Sequence, residues 1–165
     1  MMAHTSGLQQ KLFDEISARL SSSDKTVPVR TGSYVYFREY RQGGEYPLYL
    51  RAPIVSVDSE SVILDANSLS EGHEFYELGN WSVSPDEKLI AYAEDVVSRR
   101  EYTVRFKDLA TDQLLEDKLL KVSPAMAWAA DSETLFYVEK DVETLLPKRV
   151  YRHQLGTERK NDIQV

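Results

Sequence analysis

At 165 residues the chain has the length of one compact domain, and its net charge of −7 with no basic stripe disfavours non-specific nucleic-acid binding. The absence of cysteine excludes disulfides, thiolate metal sites and cysteine nucleophiles, and fits a reducing compartment. No apolar run approaches the roughly 20 residues of a membrane span, and the N-terminal hydrophobic residues are spaced rather than contiguous, so the sequence reads as a soluble cytoplasmic protein with no membrane or nucleic-acid partner.

From the N-terminus, Leu8, Leu12, Ile16 and Leu20 recur every four residues and Phe13 widens the stripe, which predicts an amphipathic helix over 6–20. Lys11, Asp14, Glu15 and Arg19 take its other face, and Ser6 with Gln9 three residues later fits a capping box. Two readings of the helix stand side by side: it packs on its own domain, or it docks on something outside this chain. A polar stretch, Ser21 to Thr26, closes this first unit, residues 1–26.

The remainder, residues 27–165, is read as strands. Tyr34 to Glu39, a turn at Gln42-Gly43-Gly44, and Tyr46 to Arg51 form a hairpin. Pro47 has no amide to donate, so its strand is an edge or carries the proline near its start. Ser61 to Asp65 is a further strand, and Asn67 to Glu71 a single helical turn capped by Asn67. The stretch Trp81 to Leu109 organises the rest. Trp81 and Val83 share a parity before a turn at residues 84–88, LIAYAE is a second apolar run, and Tyr102, Val104 and Phe106 alternate with polar residues. Leu114 to Leu120 is expected as an outer strand. Met126 to Trp128, Thr134 to Glu139 and Arg149 to His153 follow, and NDIQV begins another strand.

This stretch repeats. VSPDEKLIAYAED overlies WAADSETLFYVEK with Asp86 on Asp131 and Tyr92 on Tyr137, both at offset 45 (131 − 86, 137 − 92). The next strand follows at offset 46 (Val104 on Val150, Leu155 on Leu109). A weaker upstream copy places Tyr36 on Tyr92 and YPLYLR, ending at Arg51, on YTVRFK, ending at Lys107, both at offset 56. A strand-built unit of about 40–50 residues marks a β-propeller blade. The fold class is therefore all-β: a partial β-propeller of about three antiparallel meanders, roughly residues 30–66, 76–120 and 124–165, preceded by one helix.

No residue is assigned to catalysis, a cofactor or a metal. There is no Gly-x-Ser-x-Gly elbow and no Gly-rich phosphate loop. His4 lies near the terminus, His73 in a turn and His153 at a strand end; none has a catalytic partner in sequence. Glu71, His73 and Glu74 lack the spacing of a metal site and read as solvated loop charges. Asp86 and Asp131 occupy equivalent turns, where a short carboxylate accepts backbone amides. Trp81, Trp128 and most of the ten tyrosines read as core.

The runs YFREYRQGGEYPLYLR, LDANSLSEGHEFYELGNWSVSPDEKLIAYAED, EYTVRFKDLATDQLL, AWAADSETLFYVEKD and KRVYRHQLGT, with HTSGLQQKLFDEISARL before them, resemble the propeller of the oligopeptidase B (protease II) group. That group belongs to the prolyl oligopeptidase family of serine peptidases. The resemblance covers nearly the whole chain. It implies a seven-bladed propeller over an α/β-hydrolase domain that carries the Ser-Asp-His triad and lies outside this sequence. It also implies cytosolic cleavage of short peptides after Arg or Lys, with the propeller gating access. On this reading the chain is a non-catalytic piece of a longer protein, inactive alone. Its partners are the hydrolase domain, short peptides in the parent, and other copies of itself through bare strand edges and the face of Leu8, Leu12, Ile16 and Leu20. The alternative is a stand-alone propeller-type interaction module.

Overall fold

The computed structural model describes residues 5–19 and 24–165. Helix α1 (Ser6–Ser17) carries no buried residue, and Leu8, Leu12, Phe13 and Ile16 are 47–66 % exposed. The helix therefore does not pack on its own domain. Leu20 and His4 lie outside the described residues. Thr5, not Ser6, is the N-cap, and Gln9 reaches back to donate to Thr5 Oγ1 at 3.2 Å. Gln9 thus bonds the N-cap from four residues on instead of Ser6 from three, and the expected Ser6–Gln9 box is not the contact formed.

The first sheet contains β1 (Asp24–Lys25), β2 (Val29–Thr31), β3 (Tyr34–Tyr40), β4 (Leu48–Pro53) and β5 (Ser61–Asp65). β1 and β2 share one lane along β3, and β4 and β5 follow on its other side. The lane breaks at residues 26–28, where Pro28 has no amide for the ladder. β4 is paired on both sides and begins immediately after Pro47, so the proline sits before the strand and not on an edge. Asp65 caps the short helix α2 (Ala66–Ser70), accepting from the Asn67 and Ser68 amides at 2.9 and 3.3 Å. Asn67, expected as the cap, instead holds the preceding hairpin loop. Its Oδ1 accepts the Tyr46 amide at 2.9 Å and its Nδ2 donates to the Tyr46 carbonyl at 2.8 Å.

The second sheet runs β6 (Glu77–Val83), β7 (Leu89–Asp95), β8 (Tyr102–Asp108), β9 (Leu114–Trp128), β10 (Thr134–Lys140), β11 (Pro147–Gln154) and β12 (Ile163–Gln164), each antiparallel to the next. β9 serves two meanders. Leu114 to Val122 pairs with β8, and Val122 to Trp128 pairs with β10. In β8, Tyr102, Val104 and Phe106 are buried while the residues between them are half-exposed, as the alternation requires.

The register aligns three four-strand units. Tyr36 lies between Val29 and Arg51, Tyr92 between Trp81 and Arg105, and Tyr137 between Met126 and Tyr151. Arg51 is thus the counterpart of Arg105, an offset of 54 (105 − 51), and not of Lys107. The first hairpin spends 15 residues from Tyr36 to Arg51 (51 − 36) where the second spends 13 (105 − 92). A two-residue difference leaves every side chain on the same face, so alternation alone does not detect it. The chain is mostly β, and its antiparallel sheets form part of a β-propeller preceded by a helix. One apolar cluster lies between the first and second units (Tyr36, Tyr49, Leu64, Tyr76, Ile90, Tyr92), and another between the second and third (Val104, Phe106, Leu119, Val122, Leu135, Tyr137).

Candidate functional site

The hairpin turns that begin each unit line up along one end. Gly32, Glu87 and Ser132 all adopt left-handed φ, at 59°, 63° and 62°. Asp86 and Asp131 hold the second and third of these turns as expected. Asp131 Oδ1 accepts the Glu133 and Thr134 amides at 2.9 Å each, and Asp86 Oδ1 accepts from the Ser84 hydroxyl at 2.6 Å. Those donors stabilise the ionised form and hold both carboxyls below the ordinary 3.8: for Asp86 chiefly the Ser84 hydroxyl, for Asp131 the Glu133 amide.

The same turns join neighbouring units. Ser33 N–H donates to the Glu87 carboxylate at 2.5 Å, and Asp86 N–H donates to Ser132 Oγ at 3.0 Å. Arg51 reinforces the first joint. Its guanidinium donates to the Glu87 carbonyl at 2.7 Å and lies 4.3 Å from the centre of the Tyr34 ring. The second joint gains Asn80 Nδ2 on the Pro124 carbonyl (2.9 Å) and Trp128 Nε1 on the Ser82 carbonyl (3.0 Å).

The two joints differ in kind. The second and third units are one continuous sheet through β9, whereas the first and second are separate sheets. Trp81 spans the seam between them, with its ring centroid 5.7 Å from Tyr36 and 5.8 Å from Tyr49. Above these rings a cleft of about 650 Å³ opens between Thr26, Val27 and β2 on one wall and β6 on the other. Arg38 is the one charged residue along it.

A buried ionic cluster sits at the far end of the molecule. His153, 1 % exposed, lies between two carboxylates: Nδ1 is 2.7 Å from Asp162 Oδ1 and Nε2 is 3.1 Å from Asp117 Oδ1. Asp162 also accepts from Tyr137 Oη at 2.8 Å, and Asp117 from the Gly156 amide at 2.8 Å. Burial, with Asp162 beside it, pushes the Tyr137 phenol up to about 12. The cluster ties Asp117, on the half of β9 that pairs with β8, to β10, β11 and the residue before β12, so it joins the second unit to the third. Position alone assigned His153 to an ordinary strand end; its partners, 36 and 9 residues away, carry no local signal. A second ion pair, Glu94 with Arg105, lies beside Tyr76, whose buried hydroxyl has no hydrogen-bond partner among the described residues.

His73, Glu71 and Glu74 are exposed in the loop before β6. Among the described residues no three His, Asp or Glu side chains gather as metal ligands. Trp81 and Trp128 are half-buried and pack against the apolar clusters at the two seams between units.

Successive radial meanders, joined at their turns and through a shared strand, place the chain among β-propeller domains. The family model described as the prolyl oligopeptidase N-terminal β-propeller domain matches residues 1–165, and the chain belongs to that family. Dipeptidyl aminopeptidase BI of Pseudoxanthomonas mexicana is 40 % identical over 180 residues, covering all of this chain and 25 % of that protein. Protease 2 of Moraxella lacunata is 28 % identical over 160 residues, covering 93 % of this chain and 23 % of the relative. The structure of oligopeptidase B from Leishmania major superposes with a TM-score of 0.92 at 28 % identity, over 98 % of this chain and 23 % of that one. The chain therefore spans about a quarter of the length of these relatives.

Proposed function

We propose that this chain is part of the propeller over the active site of a cytoplasmic serine oligopeptidase that cleaves short peptides after Arg or Lys. The observation that carries the reading is the match of the propeller family over residues 1–165, joined to likeness with about a quarter of named peptidases. The propeller's role is to gate access by size and to pack against a hydrolase domain that supplies the serine nucleophile, histidine base and oxyanion hole. The described residues fit that division of labour. Their buried histidine is committed to two structural carboxylates, with no serine hydroxyl among its partners.

A second reading has its own support. The relative at 40 % identity is named a dipeptidyl aminopeptidase, which favours release of dipeptides from the amino end. Exposed strand edges and the open face of Leu8, Leu12 and Ile16 are surfaces for the hydrolase domain or for self-association.

The test is the reading frame in the source genome, followed by expression of its full product. A downstream Gly-x-Ser-x-Gly elbow is expected, with turnover of fluorogenic substrates ending in Arg or Lys. Preferential turnover of free-amino dipeptide substrates selects the second reading. A frame with no hydrolase domain overturns both and leaves an interaction module. The 165-residue chain alone is expected to be inert on either substrate.

A further inference from the structure

The cleft at the seam between the first two units is built in a way that the lid role does not use. Both walls carry strand edges: β2 lies on the outer lane of its sheet, and β6 ends the other. Among the described residues no sheet pairing crosses between them. Such edges offer backbone donors and acceptors in the spacing an extended peptide requires. One is already engaged, since Trp81 N–H donates to Asn80 Oδ1 at 2.9 Å, a side-chain bond that a peptide carbonyl can replace. The floor is aromatic, with Trp81 against Tyr36 and Tyr49. A cleft of about 650 Å³ is in the size range of ligand sites.

Charge sets the direction. The protein carries −7 overall, yet the cleft is lined by no carboxylate and by one cation, Arg38. Arg38 makes no ion pair among the described residues, and its charge acts on the hydroxyl of Tyr49 beside it. A guanidinium at one end of an apolar, edge-lined groove matches a carboxylate, which it binds in a bidentate manner.

We propose that the cleft between β2 and β6 binds a short extended peptide with a free C-terminal carboxylate, its backbone along the strand edges and its carboxylate on Arg38. The choice of a peptide as ligand rests on the peptidase reading; the polarity rests on Arg38. In the parent enzyme this is a holding site on the propeller for the carboxyl-terminal part of a substrate or product.

The probe is acetyl-Val-Thr-Val-Ala as the free acid and as its C-terminal amide, titrated into the 165-residue chain. Amide chemical shifts in a 1H–15N spectrum and tryptophan fluorescence are the readouts. The free acid is expected to saturate below about 5 mM, shifting the amides of Val29 to Thr31 and Leu78 to Val83. The amide is expected to bind about ten-fold more weakly. Arg38→Gln, at an exposed position, should keep the wild-type melting temperature and bind acid and amide alike. Equal binding of acid and amide by the wild type overturns the proposal. So does the absence of saturable shifts, or shifts confined to other strands. Shifts at these amides that depend on protein concentration without peptide place a second copy in the cleft, which also overturns it. Peptidase turnover by the full product does not enter this measurement, so the failure of one reading is separable from the failure of the other.

Discussion

Replacing His153 by Phe tests whether a buried polar cluster holds the second and third units together. The histidine is 1 % exposed, and the side chains of its partners Asp162 and Asp117 are 2 % and 9 % exposed. Each ring nitrogen has a carboxylate as its partner, so a proton on either nitrogen is donated to Asp162 or Asp117. Phe keeps the ring and its place 6.0 Å from Phe106, which isolates the polar loss from a packing loss. It leaves Asp162 with the Tyr137 hydroxyl and Asp117 with the Gly156 amide, and removes the group that separates two buried anions. Removing one partner of a buried ionic group costs about 3–5 kcal/mol. That is a large part of the roughly 5–15 kcal/mol of a typical domain. Urea unfolding followed by circular dichroism measures the loss. The triple variant Asp117→Asn, His153→Phe, Asp162→Asn removes the stranded charges and is expected to regain more than half of it. A loss below about 1 kcal/mol in His153→Phe, or no recovery in the triple variant, refutes the reasoning.

Gly32→Ala places a Cβ 2.0 Å from Glu87 Oε1 at a φ of +59°, so both strain and the Ser33–Glu87 joint suffer. The expected loss is about 1–2 kcal/mol, seen as a fall of roughly 3–6 °C in melting temperature, with the steric part relieved by Glu87→Ala. Tyr76→Phe removes a buried hydroxyl that has no partner among the described residues, so it is expected to be neutral or to stabilise by up to about 1 kcal/mol in the same urea assay. Asp86, Asp108 and Asp131 have carboxyls held below 3.8 in the folded chain by hydroxyl or amide donors. A depressed folded-state value stabilises above the unfolded value and is lost as pH falls through the folded one. Melting temperature should therefore drop as pH falls below 3.8, and Asp131→Asn should flatten that drop.

The alternation of Tyr102, Val104 and Phe106 was legible because an antiparallel strand with one face on the core repeats every two residues. The repeat of Asp86 at Asp131 was legible because each turn needs the same short acceptor. Less was visible where partners are distant or geometry is cumulative. Asn67 looked like a cap, but Asp65 fills that role and frees Asn67 to bind Tyr46, 21 residues away. β9 read as two strands, Leu114 to Leu120 and Met126 to Trp128; the register shows one strand changing partners at Val122. The cleft was not legible at all, since it exists only once Val29 and Trp81, 52 positions apart (81 − 29), stand on facing edges.

The double duty of β9 also decides where this molecule can be dissected. A break in residues 71–76 severs a loop and parts two sheets whose own ladders stay whole. A break in 120–126 severs the strand that both later meanders use, so each half is left with a missing rung. Fragment complementation, circular permutation and swapping of parts between relatives therefore have one natural boundary here. The second and third meanders travel as a single cartridge.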